Sequence, residues 1–347
     1  MDKPTHFSQL NLQQQRTLFE GAAAELLPQW QIGEHSLSWI GYDTNAVFAV
    51  TTAAERYFLR LHPPGRVDED DVHSELIWLL AIRQQTGLLA PLPVPVSNGG
   101  LLTSYIPPML PSAGQIHAVL FERLRGETKS ASAFTVVDAR AVGGYLGRLH
   151  RDSQFEPPAD FKRHRLDFGG IFEAESAYYV TNESEVLTRE QIRVFQAVSD
   201  RARQAMPCRD QPGAGIGLIH ADLLAKNLLF VENSVAALDF EYCAWGYFLY
   251  DLAPLLWEFR GERAADYVEL EDALWAGYLS IRPQAAAQRD DLEAFIAARQ
   301  MLSCRWLLQN LHNPKVREVA PTLLQERIRE LEGYLSTGKL QRRTATL

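Results

Sequence analysis

The chain changes character about a third of the way along, and that asymmetry limits its fold more than any other feature. Three short runs rich in β-branched and aromatic residues, Ser36–Ile40, Ala46–Thr51 and Tyr57–Leu61, are separated by the turn formers GYDTN and TAAER. A helical pattern over Leu10–Leu27 precedes them. Another, about Glu69–Gln85, follows with Val72, Leu76, Leu79 and Leu80 on one face. The segment PLPVPV then leads into a further hairpin, Leu101–Ile106 with Ile116–Leu120, and a hinge is expected near Gly126. Beyond it, helical spacing recurs in Phe134–His150, Arg189–Met206, Tyr247–Phe259, Glu262–Ser280, Asp291–Leu311 and Thr322–Leu335, interrupted by one β-like island, Ile216–Phe240. Strands first and helices after predict an α+β protein of two lobes, a smaller β-rich one over 1–125 and a larger helical one over 126–347. The tail GKLQRRTATL is expected to fray.

The island carries the chemistry. In LIHADLLAKNLLFVENSVAALDF a strand over Gly217–Ile219 brings the chain to His220, Asp222 lies two residues on, and Asn227 five after that. Leu228–Val231 and Val235–Leu238 flank the turn ENS as a hairpin, at whose end stands Asp239. Carboxylates and an amide at strand ends converge on one point while the sheet holds them rigid. Phosphoryl transfer needs such a set: a carboxylate to take the proton of the attacking hydroxyl, and hard oxygens to hold Mg2+ against a triphosphate. Asp222 suits the first role, Asn227 and Asp239 the second, and His220 supports the loop through hydrogen bonds.

HADLLAKN followed by LDFEYCAWGYFLYDLA resembles the catalytic-loop and magnesium motifs of the aminoglycoside phosphotransferase and choline kinase-like family, within the protein-kinase-like fold. The resemblance implies an ATP- and Mg2+-dependent kinase acting on a hydroxyl of a small molecule, such as an aminoglycoside or an amino alcohol. It implies Asp222 as base, Asn227 and Asp239 as metal ligands, and Asp251 as the carboxylate bracing the catalytic loop. Glu241 replaces the glycine that follows Asp-Phe in protein kinases, either as a further water-mediated metal contact or as a solvent-facing residue.

The nucleotide lobe carries matching landmarks. Arg60 in YFLRLH occupies the third strand, where a cation holds the α- and β-phosphates, and Glu75 on the next helix is its expected salt-bridge partner. GYDTNAVF has one glycine where protein kinases have three, so backbone amides near Asn45 are left to cradle phosphate. Phe121–Leu124 resembles the adenine hinge, which puts the backbone of Glu122 and Leu124 against the purine. LGRLH resembles a family helix, with His150 expected as a packing residue.

Toward the acceptor, Glu258, Glu262, Asp266, Glu269, Glu271 and Asp272 read either as a solvated helix face or as a site for a cationic acceptor. Tyr242, Trp245, Tyr247 and Trp257 read as pocket or core. Two other functions stay open on this fold: a protein Ser/Thr kinase, which the lack of an A-P-E signature disfavours, and a non-catalytic nucleotide-binding regulator. A net charge of −9 opposes nucleic-acid binding. Three dispersed cysteines, Cys208, Cys243 and Cys304, suit a reducing cytoplasm. A start without a signal-peptide pattern, and the lack of any long apolar run, lead to the expectation of a soluble, intracellular protein without a membrane partner.

Overall fold

The computed structural model describes residues 6–152, 155–173, 186–206, 215–232 and 234–342; Cys208, Asn233 of the ENS turn and the last five residues of the tail lie outside them. The first lobe is built on an antiparallel sheet of order β1-β2-β3-β5-β4: β1 His35–Tyr42, β2 Ala46–Thr52, β3 Arg56–Leu61, β4 Thr103–Tyr105 and β5 Ile116–Glu122. Helix α1, Leu12–Leu26, starts at a reciprocal cap between Asn11 and Gln14. It buries Phe19, Ala22, Ala23 and Leu26, and Phe19 meets Tyr42 of β1 edge-on at 5.1 Å.

Helix α2, Glu69–Ala81, follows the strands but serves the other lobe. Its Val72, Leu76, Trp78 and Leu79 belong to the second core, as do Val119 and Phe121 of β5. Trp78 packs edge-on against Phe240 at 5.4 Å, immediately beside Asp239. The helical spacing expected to Gln85 continues past α2 as a wider turn, Ile82–Thr86, that ends at Gly87.

The second lobe comprises α3 Val136–Asp152, α4 Phe168–Phe172, α5 Arg189–Ala202, α6 Ala253–Glu262, α7 Tyr267–Leu279, α8 Leu292–Gln309 and α9 Pro314–Thr337. Interleaved are β6 Arg165–Leu166, β7 Ile216–Ile219, β8 Leu228–Val231, β9 Ser234–Ala237 and β10 Ala244–Tyr247. Helices α3 and α7 cross at glycines: a Cβ on Gly277 would lie 2.0 Å from the Arg140 carbonyl oxygen, and one on Gly143 2.0 Å from that of Leu274. The helix expected over Tyr247–Phe259 is three pieces. Ala244–Tyr247 pairs with β7, Phe248–Leu252 forms a 3-10 turn, and only then does α6 begin, with Pro254 in its first turn. Of the expected span only Tyr247 is drawn into the strand, by its pairing with Ile216. Helix α9 starts eight residues earlier than its periodicity predicts, on the Asn313 cap, and tolerates Pro321 inside.

Glu122 at the end of β5 leads the chain out of the first lobe, and just past Gly126 Glu127 is anchored within the second by two backbone hydrogen bonds with Phe230 of β8 (3.0 and 2.9 Å). Several ties cross between the lobes. Gln15 donates to the His312 carbonyl at 2.9 Å, and Asn313 to that of Asp43, in the β1–β2 turn, at 2.8 Å. Among the described residues no helix is long and apolar enough to cross a membrane. Cys243 and Cys304 are buried free thiols.

Candidate active site

Strand β7 delivers the chain to His220 and then into a bend that an alanine makes only under constraint. Ala221 has φ +70°, a left-handed conformation that costs an L-residue about 1–2 kcal/mol. Asp251 holds it there. Its carboxylate accepts from the amides of His220 (2.9 Å) and Ala221 (2.6 Å), and its Oδ2 lies 3.0 Å from His150 Nε2. Burial opposes the charged form of Asp251, but the bonds from His150 and His220 outweigh it and hold the carboxyl below its usual range. His150, expected only to pack, is therefore the third support of this brace; it also stacks on Phe248 at 4.5 Å. Helix spacing gave no sign of that hydrogen bond, which joins residues 101 positions apart.

The His220 ring is fixed from both sides. Nε2 lies 2.8 Å from the Leu238 carbonyl, and Nδ1 accepts from the Asp222 amide at 3.3 Å, which sets the proton on Nε2. Asn227 Nδ2 donates to the Asp222 carbonyl at 2.9 Å, closing the loop. A second carboxylate acts on this loop from α6: Glu258 accepts from the Ala225 amide at 2.7 Å. It is buried, not a residue of the solvated face, and burial pushes it up to about 7.

Sequence reasoning missed Arg299 of α8. Its Nη2 donates to Asp222 Oδ1 at 2.5 Å, with both side chains mostly shielded from solvent. One signal was available: a lone arginine in an apolar helical stretch, AFIAARQML, must find a partner inside the protein.

On the first-lobe side of the site, Arg60 of β3 forks onto Glu75 of α2 through two bonds of 2.9 and 2.7 Å, both side chains buried. The same guanidinium lies 3.6 Å from Asp239 Oδ1 and 5.0 Å from the Phe121 ring centre. Asn45 is buried at the start of β2, and its amide donates to Glu241 Oε2. Its Nδ2 is thus spent on a carboxylate, while its Oδ1 is buried without a hydrogen-bond partner. Glu241 does not face solvent; it lines the cleft, where burial and then Asp239 push it up to about 7.

A single cleft of about 940 Å³ is lined by Asn45, Arg60, Glu75, Glu122, Leu124, Asp222, Asn227, Asp239 and Glu241. His220 and Asp251 stand behind it. The Glu122 amide is spent on the Leu92 carbonyl (2.9 Å), so its own carbonyl is what that strand end offers. Asp239 Oδ1 and Glu241 Oε1 are buried without a hydrogen-bond partner. Carboxylate oxygens that accept no hydrogen bond, beside an amide carbonyl, are a donor set that suits a hard divalent cation. Groups of three or more His, Cys, Asp or Glu side chains poised for a metal do not occur among the described residues. The acids expected on the acceptor side lie elsewhere. Glu262, Asp266, Glu269, Glu271 and Asp272 are not part of the cleft lining; Asp266 pairs with Arg263, and Glu271 and Asp272 with Arg289. Trp257 lines the cleft with Tyr242, whereas Tyr247 is core.

Residues 39–290 match the model of the APH phosphotransferase enzyme family. The chain belongs to this family. It is 29% identical over 279 residues to the homoserine kinase of Methylobacterium radiotolerans, covering 78% of this chain and 79% of that one. Its fold is that of a microcompartment-associated aminopropanol kinase (TM-score 0.77, 24% identity, 94% of this chain and 100% of that one). It is likewise that of an amicoumacin kinase solved with AMP-PNP, Ca2+ and Ami (TM-score 0.69, 19% identity, 90% and 93%). This phosphotransferase is a kinase acting on a hydroxyl group of a small molecule.

Proposed function

We propose that the enzyme moves the γ-phosphate of ATP, with Mg2+, to that hydroxyl, and that Asp222 is its base. The observation carrying this reading is the convergence of Asp222, Asn227 and Asp239 with the Arg60–Glu75 fork on one cleft. Asp222 takes the proton of the acceptor hydroxyl; that oxygen bonds to the γ-phosphorus while the β–γ bridging bond breaks and its electrons leave with ADP. Arg60 holds the α- and β-phosphates, and the Glu122 carbonyl with the Leu124 amide meets the purine edge. Asp251, through Ala221, keeps the Asp222 loop in place, and His220 does so from below. Mg2+, when bound, neutralises charge on the phosphates, and Asn227, Asp239 and Glu241 are the residues that would hold it. The solved amicoumacin kinase, with AMP-PNP and Ca2+, supports nucleotide and divalent cation in this fold.

A panel of amino alcohols, hydroxy amino acids and aminoglycosides, assayed for ATP consumption, tests the reading. Asp222→Asn is expected to lower turnover by about 10²–10⁴-fold with the ATP KM retained; equal turnover in both proteins removes Asp222 from the role. A second reading, a non-catalytic nucleotide-binding regulator, has one observation in its favour, the ion pair that ties Asp222 to Arg299. It predicts that Mg-ATP raises the melting temperature while no acceptor is ever turned over.

A further inference from the structure

We propose that the acceptor is a hydroxy acid, whose carboxylate is received by the guanidinium forks of Arg299 and Arg327. The inference rests on the phosphotransfer reading and names the substrate class of the same site. Beyond Tyr242, the cleft wall comes from α6, α8 and α9. Its charged members are Arg299, Lys315 and Arg327, accompanied by Trp257 and Trp306, with no acid among them. A polycationic acceptor would meet like charge there.

Arg327 is the decisive residue. It is 2% exposed, yet its Nε is buried without a hydrogen-bond partner, and Nη1 is held only by the Ser303 carbonyl at 3.1 Å. A buried guanidinium bound to a neutral carbonyl is costly unless an anion completes it. Arg299 and Arg327 lie 5.3 and 5.5 Å from the ring centre of Trp257, so both forks border one indole. Arg342 covers the same ring at 3.4 Å. Burial, and then Arg327, depress Arg342 to about 9, while Glu330 and Glu258 offset part of that. Glu330 is engaged by Gln300 at 2.6 Å. Glu330 offsets part of the charge on Arg327 and Arg342, but the Arg327 Nε stays buried without a hydrogen-bond partner. A carboxylate matches two parallel N–H donors and carries one charge; a phosphate monoester would set up to two more charges beside the phosphoryl group in transfer.

The Arg299–Asp222 contact gives the subsite a further effect. An arriving carboxylate replaces Asp222 as the partner of Arg299 and releases Oδ1 of the base for the hydroxyl proton. Alcohols without a carboxylate leave the base tied, so water is also a poor acceptor.

The test uses the full chain with two matched probe pairs, each differing by one carboxylate: L-homoserine against 3-aminopropan-1-ol, and 4-hydroxybutyrate against propan-1-ol. Turnover and the shift in melting temperature are read for each. The carboxylated member is expected to show at least about a hundredfold higher kcat/KM, and to raise the melting temperature where its partner does not. In Arg327→Met the acceptor KM should rise at least about tenfold with the ATP KM unchanged, and Arg327→Lys, which keeps the charge but not the fork, should fall between. Carboxylate-free alcohols turned over equally well, or carboxylates that leave the wild-type melting temperature unmoved, overturn the proposal. If Mg-ATP stabilises the protein and carboxylates do not, the subsite alone fails. Should carboxylates stabilise it and Mg-ATP not, the phosphotransfer reading fails and the subsite stands.

Discussion

At the scale of single residues, the site is a set of buried charges whose partners decide their value. Arg60 and Glu75 are each nearly fully buried and bonded through two parallel contacts. Removing one member strands the other, so Arg60→Met should cost about 3–5 kcal/mol in urea unfolding, whereas the double variant with Glu75→Met should recover most of it. Glu258 gives a pH signature. Its carboxyl is raised from 4.5 to about 7 in the fold, so the native state holds a proton that the unfolded chain releases between those values. Stability from this residue is present below pH 4.5 and falls as pH rises toward 7, with a slope of up to about 1.4 kcal/mol per pH unit. Glu258→Gln keeps an acceptor for the Ala225 amide and should flatten that slope in melts taken from pH 4.5 to 7. Asp222, Asn227 and Asp239 were legible in the sequence because turn chemistry at strand ends is local. Arg299 and His150 were not, because their meaning lies in partners 77 and 101 positions away.

At the scale of elements, the brace behind the catalytic loop depends on a helix crossing. Helix α3 carries His150 and can approach α7 only because Gly143 and Gly277 offer no side chain at the contact. Gly277→Ala would set a methyl 2.0 Å from the Arg140 carbonyl oxygen and force the helices apart. The expected destabilisation is about 2–3 kcal/mol, with a fall in kcat larger than the stability loss explains, because His150 moves away from Asp251. Equal kcat in variant and wild type would detach the crossing from the site. Strand and helix types were readable where periodicity was long, as in α1 and α8. Of the span Tyr247–Phe259 the helix was legible from Ala253 on, whereas the pairing of Tyr247 with Ile216, a contact between distant segments, and the 3-10 turn Phe248–Leu252 were not.

At the scale of the molecule, the division of the chain and the division of the core differ. The sequence places α2 with the strands, but its apolar face joins the helical core, where Trp78 meets Phe240. Both cores should therefore melt together. Trp78→Ala is expected to cost about 3–5 kcal/mol and to shift a single calorimetric peak, not one of two. Periodicity showed that α2 was amphipathic; which lobe it faced was beyond a pattern that carries no information on distant partners. Asn313 links the lobes at the cleft itself. Its Oδ1 accepts from the Lys315 amide at 3.0 Å, and its Nδ2 reaches the Asp43 carbonyl at 2.8 Å. One side chain thus ties the β1–β2 turn to the start of α9, like one latch shared by two doors. In the proposed reaction both products would pass this contact, and its opening is expected to govern both departures. Turnover should then slow in viscous solvent, and Asn313→Ala, with the doors hung separately, should lose that dependence.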